Sequence, residues 1–401
     1  MFGQDNMSIN SAVIKVMGVG GGGCNAVNSM IASNITSAEF IAVNTDNQAL
    51  LLSKADRCLQ IGKKLTKGLG AGSDPSIGEA AAEESKEEIA SALEGTDLLF
   101  IASGMGGGTG TGAASVVARI AREMGILTIA VVTKPFSFEG KVRNENANKG
   151  ISNLKKYVDT LVIIPNDKLL QFLPAQTGML DAFKVADDML KQGIVGIVDL
   201  IATPSLINLD FADVNTVMRN QGLAHMGIGK SKGENRIIES VRQAVSSPLL
   251  ETTIEGAKSV ILNVTGGKDI MLNEINEAAM LVQGIIDESA NMIFGATIDE
   301  NMVDEVKITV IATGFSAPST VNAQPKEVKP VIAKQEQPVE ELPLISKIEE
   351  QERISKETEK MAEELERPIV YEREEVVEKV EEPAPAKTRE LPAFMRKLFK
   401  K

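Results

Sequence analysis

Residues 104–112 read GMGGGTGTG, six glycines and two threonines in nine positions. The apolar run before them, TDLLFIASG (96–104), has the composition of a buried strand. AASVVARIAREMG (113–125) after them spaces its apolar residues by three and four, as a helix does. The glycines therefore occupy a strand-to-helix turn. Each glycine costs roughly 0.5–1 kcal/mol of conformational entropy there and gives in return positive φ and close approach of bare backbone N–H groups to something bulky. The helix N-terminus adds unpaired donors and a partial positive charge, so an anion, phosphate above all, is the expected guest. The hydroxyls of Thr109 and Thr111 are expected to add donors. A competing reading has the glycines only letting a helix pack tightly, but packing alone rarely asks for so many.

A second cluster, GVGGGGCN (18–25), follows the strand-like AVIKVMGV (12–19) and precedes the helical NAVNSMIASN (25–34). Alone it is a weak dinucleotide-type signal. Two such turns in one domain suggest one nucleotide held from two sides.

The chain has 401 residues and 43% hydrophobic content, room for two core-bearing domains and a tail. Its net charge of −13 argues against a general nucleic-acid binder, because phosphate contacts need a basic face. The lack of Trp, with aromatics at 3%, argues against a base-stacking or lectin-like surface. Cys24 and Cys58 form neither a metal-spaced cluster nor a disulfide framework, which fits a reducing compartment. His225 is the single histidine, which leaves triads and multi-histidine metal sites almost no material; it is read as structural or surface. No leader pattern and no 18-residue apolar span is found, so the expected location is cytoplasmic.

From about 12 to 170, β-rich runs (EFIAVNTD, ILTIAVVTKPF, TLVIIPND) alternate with helical stretches (77–95, 139–158), which predicts an α/β domain with a mostly parallel, doubly wound sheet. Its ligand crevice belongs beyond the carboxyl ends of the strands, where both glycine clusters and GLGAGSDP (68–75) fall. Residues 178–203 read as one long apolar-rich helix, after which helices (235–245, 271–289) and β runs (259–267, 305–315) predict a second α/β domain. Beyond 316 the composition turns to Pro, Glu, Lys and Gln, with a net charge of about −8 between 326 and 386, as in a disordered linker. The last residues, RELPAFMRKLFKK (389–401), are basic and apolar together, suited to a short amphipathic segment that docks on a partner or a membrane surface. AHMGIGKS (224–231) satisfies a relaxed P-loop pattern, but the helical and turn-like residues before it argue against that reading, since a P-loop directly follows a buried strand.

The two clusters, together with AVNTDNQAL (42–50), KGLGAGSDP (67–75), VVTKPFSFEGKVR (131–143), IPNDKLL (164–170) and NLDFADV (208–214), closely resemble the tubulin/FtsZ family of GTPases, in particular its bacterial cell-division members. The resemblance runs from about 12 to 315 and returns at LPAFMRK (391–397). It implies a tubulin-like fold: a flexible N-terminus (1–11), a GTP-binding domain (12–177), a central helix (178–203), an activation domain (204–315), a disordered charged linker (316–388) and a partner-binding peptide (389–401). By matching position, Gly21, Gly22, Gly23, Cys24 and Asn25 would line the first nucleotide loop. Gly107, Gly108, Thr109 and Gly110 would hold the phosphates, with Ala71 and Gly72 near the γ-phosphate. Glu139 and Arg143 would lie around the sugar and phosphates, and Asn166 and Asp187 would read the base. Guanine suits a carboxylate because its N1–H and exocyclic amine are adjacent donors. Cys24, where relatives often carry Gly or Asn, and Ser115, where Pro is common, depart from the family pattern and are expected to tune affinity only.

The resemblance further implies that Asp210 and Asp213 enter the nucleotide pocket of the next subunit in a head-to-tail filament and polarise the attacking water. Mg²⁺ would be held mainly by phosphates and water, with no dedicated protein metal site. The expected partners are further copies of the chain and, through Leu391, Pro392, Phe394, Met395, Arg396 and Lys397, FtsA-like adaptors that tether it at the division site beneath the inner membrane. Two alternatives stand beside this: a nicotinamide-dependent oxidoreductase using GVGGGG, and a non-catalytic scaffold stabilised by nucleotide.

Overall fold

Aliphatic and β-branched runs alternate with helical ones from the start of the chain, and ten of them join into one sheet. The strands are β1 (Ile14–Val19), β2 (Glu39–Asn44), β3 (Arg57–Gln60), β4 (Leu98–Gly104), β5 (Leu127–Lys134), β6 (Thr160–Pro165), β7 (Gly222–Lys232), β8 (Ser259–Gly266), β9 (Asn291–Ile298) and β10 (Glu305–Thr313). Their spatial order is 3-2-1-4-5-6-7-10-8-9. In this computed structural model the described residues are 12–170, 173, 174, 176–202, 210–246, 254, 256–287, 289–300 and 302–315, all within one unit, Met1–Val321. The readings made for the linker and for Leu391, Pro392, Phe394, Met395, Arg396 and Lys397 lie outside the described residues.

β1 to β6 are parallel throughout. β1 is buried along its whole length, which is why it reads as a mostly apolar run broken only by Lys15, whose ammonium donates to Ala92 O at 2.9 Å. Its two faces still divide by the period of two. Met17 and Val19 face a core filled from α4 (Pro75–Glu84), α5 (Lys86–Leu93), α6 (Thr109–Glu123) and α7 (Lys141–Leu154), while Ile14 and Val16 face one filled from α1 (Gly20–Ala32), α9 (Met179–Ala202) and α10 (Phe211–Met218). α9 has 24 residues and so extends about 36 Å. β7 pairs with β6 over three residues and then with β10, which carries the sheet on into β8 and β9 and a third core closed by α11 (Arg236–Val245) and α12 (Leu272–Gln283). Short helices α2 (Asn47–Leu51), α3 (Lys63–Thr66) and α8 (Asn166–Leu169) fill loops after strands.

The segment 77–95, read as one helical stretch, is two helices that meet at Ser85, whose Oγ accepts from Gly62 N–H at 3.1 Å. The P-loop look-alike at 224–231 is strand β7, and His225 is buried in it, edge-on to Phe315 with ring centroids 4.6 Å apart.

α4 and α6 cross at glycines. A Cβ on Gly112 would lie 2.0 Å from Pro75 O and 2.5 Å from Glu79 N, both backbone atoms. In an open helix Gly→Ala would gain up to about 1 kcal/mol, but here overpacking dominates, and Gly112→Ala is expected to destabilise the fold by about 3 kcal/mol. Urea unfolding would show this as a lower midpoint; an unchanged or raised midpoint would mean the crossing is looser than described.

Candidate functional site

The progression of strands reverses between β1 and β4, and the crevice beyond the carboxyl ends of such a pair is where open α/β sheets bind ligands. Both glycine turns leave the sheet there. The register that sets Val19 beside Ser103, with Ser103 Oγ donating to Val19 O at 3.1 Å, starts α1 and α6 side by side. Gly20, at φ +75°, comes so close that a Cβ would sit 2.7 Å from Gly110 N. Neither helix has a side-chain N-cap, so the first-turn N–H groups of both converge unpaired on one crevice. An anion between them would satisfy the donors and offset two adjacent positive helix ends.

The glycines divide between two duties. Gly21, Gly72 and Gly107 face open space, with nothing within 4 Å of an added Cβ. Gly23 packs against Ala102 O, Gly108 against Ala71 Cβ, Gly110 against Ser103 Oγ, and Gly22 lies over Gly104. Within 104–112 only Gly106 has positive φ, +105°. Tight packing therefore accounts for some glycines of one motif, while others leave open space in the crevice.

One expectation needs correction. The Thr111 hydroxyl does not offer a donor outward: Thr111 is buried, and its Oγ1 accepts the Gly106 N–H at 2.8 Å, closing the turn from within. The Cys24 side chain is expected only to tune affinity. It turns inward among Ala42 and Leu50, 3.7 Å from Gly18 O, and burial pushes its thiol up to about 12. A buried neutral thiol leaves only the backbone of Cys24 for a ligand. Asn25 beside it is exposed.

The loop between α3 and α4 meets the second turn. Lys67, Gly68, Gly70, Gly72 and Ser73 all have positive φ, a costly conformation for Lys67 and Ser73. On the other side, Glu139 accepts from Phe136 N–H at 2.8 Å and holds Arg143 Nε at 3.1 Å. Arg143 is exposed, and its Cγ and carbonyl oxygen are each 2.8 Å from where a Gly106 Cβ would be, so it lies over the glycine turn.

Asn166 opens α8 at the end of β6. It is buried, and its Oδ1 has no hydrogen-bond partner among the described residues. Such an orphan costs about 1–3 kcal/mol unless a ligand supplies the donor. Asp187 sits on α9, half-buried; burial, with the Asp188 charge second, pushes its carboxyl up to about 7. Phe183, one turn earlier on the same face, meets Phe136 edge-on at 5.4 Å. Sequence reasoning missed Phe183, although its four-residue spacing from Asp187 was there to be read, and it missed Thr45, whose Oγ1 lies 2.6 Å from Thr109 Oγ1.

Asp210 and Asp213 lie elsewhere. Both are exposed at the start of α10, where Asp210 Oδ1 accepts from Asp213 N–H at 2.8 Å. The far end of that helix is tied to the amino end of β6 by the Thr160 hydroxyl, which donates to Met218 O. That end of α10 thus lies at the amino ends of the strands, opposite the glycine turns at their carboxyl ends. Among the described residues no group of three or more His, Cys, Asp or Glu could hold a metal ion, and no helix is long and apolar enough to cross a membrane.

Residues 13–174 match the model of the "Tubulin/FtsZ family, GTPase domain" and residues 222–316 that of the "FtsZ family, C-terminal domain". An empty FtsZ dimer from the archaeon M. jannaschii superposes with a TM-score of 0.73 at 49% identity, over 76% of this chain and 88% of that one. This chain belongs to the tubulin/FtsZ family. A point mutant of M. jannaschii FtsZ agrees at 48% identity, TM-score 0.74, over 76% and 92% of the two chains. CetZ1 from Haloferax volcanii, a GDP-bound monomer, shares the fold at 22% identity and TM-score 0.67, over 76% and 94%. Membership in the tubulin/FtsZ family makes the protein a GTPase that binds GTP and GDP, and the oxidoreductase and P-loop readings fall.

Proposed function

We propose that this GTPase assembles head to tail and completes its active site between subunits. The observation that carries the reading is the separation within one chain of the uncapped N–H crevice from the exposed Asp210 and Asp213, which open a helix whose far end is tied to the opposite, amino ends of the strands. A second copy stacked on the first brings its carboxylates to the crevice. The crevice side is prepared for a neighbour: Leu52, Leu69, Phe138, Val142 and Leu180 all expose large apolar side chains on segments that follow strand ends. Met271, Leu272, Met280 and Val303 are exposed apolar groups of the other α/β half. A contact between two unlike patches is heterologous and generates an open filament. A neighbour in the same fold, CetZ2 from Haloferax volcanii, is a GTPγS-bound protofilament at 21% identity and TM-score 0.66, over 75% and 92% of the two chains.

In this proposal Gly107, Gly108, Thr109 and Gly110 hold the phosphates with the first turn of α1, Gly21 to Asn25, opposite them. Ala71 and Gly72 lie at the γ-phosphate, Arg143, braced by Glu139, covers the turn, and Asn166 and Asp187 read guanine against Phe183. Asp213 or Asp210 of the adjoining subunit polarises a water for attack on the γ-phosphorus while the fixed N–H groups stabilise the charge spreading over the phosphoryl oxygens. Among the described residues no carboxylate cage is formed, and Mg²⁺ would be held mainly by the phosphates and water. Filaments of this kind would form a cytokinetic ring beneath the inner membrane, with Leu391 to Lys397 docking on FtsA-like adaptors; the sequence resemblance supports that part.

GTP turnover per molecule, measured against protein concentration, tests the shared site. The expected curve is near zero at low concentration and rises once assembly begins. Turnover per molecule that stays constant across concentration defeats the proposal.

A further inference from the structure

We propose that Thr45 is a positioning residue for the phosphate end of the nucleotide, donating its hydroxyl proton to Thr109 Oγ1 and so committing the Thr109 proton to a phosphate oxygen. The inference deepens the reading that Gly107 to Gly110 hold the phosphates and rests on it.

Thr45 follows the last residue of β2, and its Oγ1 is 2.6 Å from Thr109 Oγ1 at the first turn of α6. Neither oxygen has another hydrogen-bond partner among the described residues. A hydroxyl carries one proton and can accept two. Two hydroxyls in contact therefore use one proton between them, and the other must find an acceptor elsewhere. Thr45 is 0% exposed, while Thr109 is 9% exposed and lies two residues from Gly107, which faces open space. Were Thr109 the donor, the Thr45 proton would be stranded in the core, at the full desolvation cost of an unmade bond. Thr45 is thus the donor, and the Thr109 proton is left for the crevice.

The backbone of Thr45 is itself held. Thr66 Oγ1 at the end of α3 donates to Thr45 O at 3.3 Å and to Gly62 O at 3.0 Å. From Thr66 the chain enters the positive-φ loop whose Ala71 touches Gly108. The hydroxyl pair therefore sits between the loop placed at the γ-phosphate and the helix that holds the phosphates, which assigns Thr109 to the terminal phosphate and Thr45 to its aim. The consequence is discrimination of GTP from GDP.

The experiment measures GTP and GDP affinity of the full chain by calorimetry in wild type, Thr45→Val, Thr45→Ser and Thr109→Val. Loss of the Thr109 bond to a charged group predicts roughly tenfold weaker GTP binding for Thr109→Val, and Thr45→Val, which leaves the Thr109 proton unaimed, loses part of that, with GDP binding within about twofold of wild type in both. Thr45→Ser keeps the hydroxyl and restores GTP preference. The double variant loses no more than Thr109→Val, because without the Thr109 hydroxyl Thr45 has nothing to aim. A GTP:GDP ratio in Thr45→Val equal to that of wild type overturns the inference alone, as do losses that add in the double variant. Equal weakening of both nucleotides that Thr45→Ser does not correct assigns Thr45 to packing and also overturns it. A wild type that bound neither nucleotide would instead remove the phosphate reading beneath it.

Discussion

Asp213→Ala is expected to lower GTP turnover of the assembled protein by at least roughly 100-fold, the scale on which a positioned proton acceptor acts, while GTP affinity of the isolated chain stays that of wild type. The asymmetry follows from geometry. The Asp213 carboxylate is exposed, makes no hydrogen bond or ion pair among the described residues, and belongs to a helix whose far end is tied to the amino ends of the strands, away from its own crevice. Its removal therefore costs its own subunit neither stability nor nucleotide. Asp210 differs, because it also caps α10, and its replacement by alanine adds about 1 kcal/mol of lost helix stability to any catalytic loss. Mixing sharpens the test. A junction is inactive whenever the subunit that donates the aspartate is the variant, so an equal mixture should turn over at about half the wild-type rate per junction, provided both copies join filaments equally. An Asp213→Ala protein that assembles and hydrolyses at the wild-type rate removes the residue from the mechanism, whatever becomes of the shared site.

The parts of the fold that could be read from sequence are those whose burial leaves a run. β1, β4, β5 and β6 are covered on both faces and appear as mostly apolar segments, Lys15 being the one charge inside them and Lys134 closing β5. β3, at the sheet edge, is four residues of RCLQ and carries no such signal, and β9 hides its eight residues around Gly295. The site divides along the same physical line. That two glycine turns face one ligand follows from strand–turn–helix repeats, which are local. Which glycine meets solvent and which meets a neighbouring backbone is fixed by the β1–β4 register, and a linear pattern does not hold it. The inward turn of Cys24 was legible, since Gly20, Gly23, Cys24, Val27 and Met30 form the buried three-and-four stripe of α1. The Thr45–Thr109 pair, 64 residues apart, was not.

Base recognition should depend on pH with a sign set by Asp187. In the nucleotide-free protein burial first, and the Asp188 charge second, raise its carboxyl from 3.8 to about 7. Asp188 forms an ion pair with Lys191 at 2.7 Å. The folded value lies above the unfolded one, so this group stabilises the empty protein at low pH and that contribution declines as pH rises from 3.8 towards about 7. Guanine reverses the preference: its two adjacent N–H donors need the ionised carboxylate, and binding releases the proton. Affinity for GTP and GDP alike should therefore rise about tenfold between pH 6 and pH 8, as the ionised fraction of a group titrating at about 7 does. Asp187→Asn keeps the shape but sets an amide donor against the guanine amine; with a polar group left unpaired, affinity should fall roughly 100-fold or more and lose its pH slope. Inosine triphosphate, which lacks the exocyclic amine, should lose less in the variant than GTP does. A slope that persists in Asp187→Asn would assign the titration to another group, and unchanged GTP affinity there would place the base elsewhere.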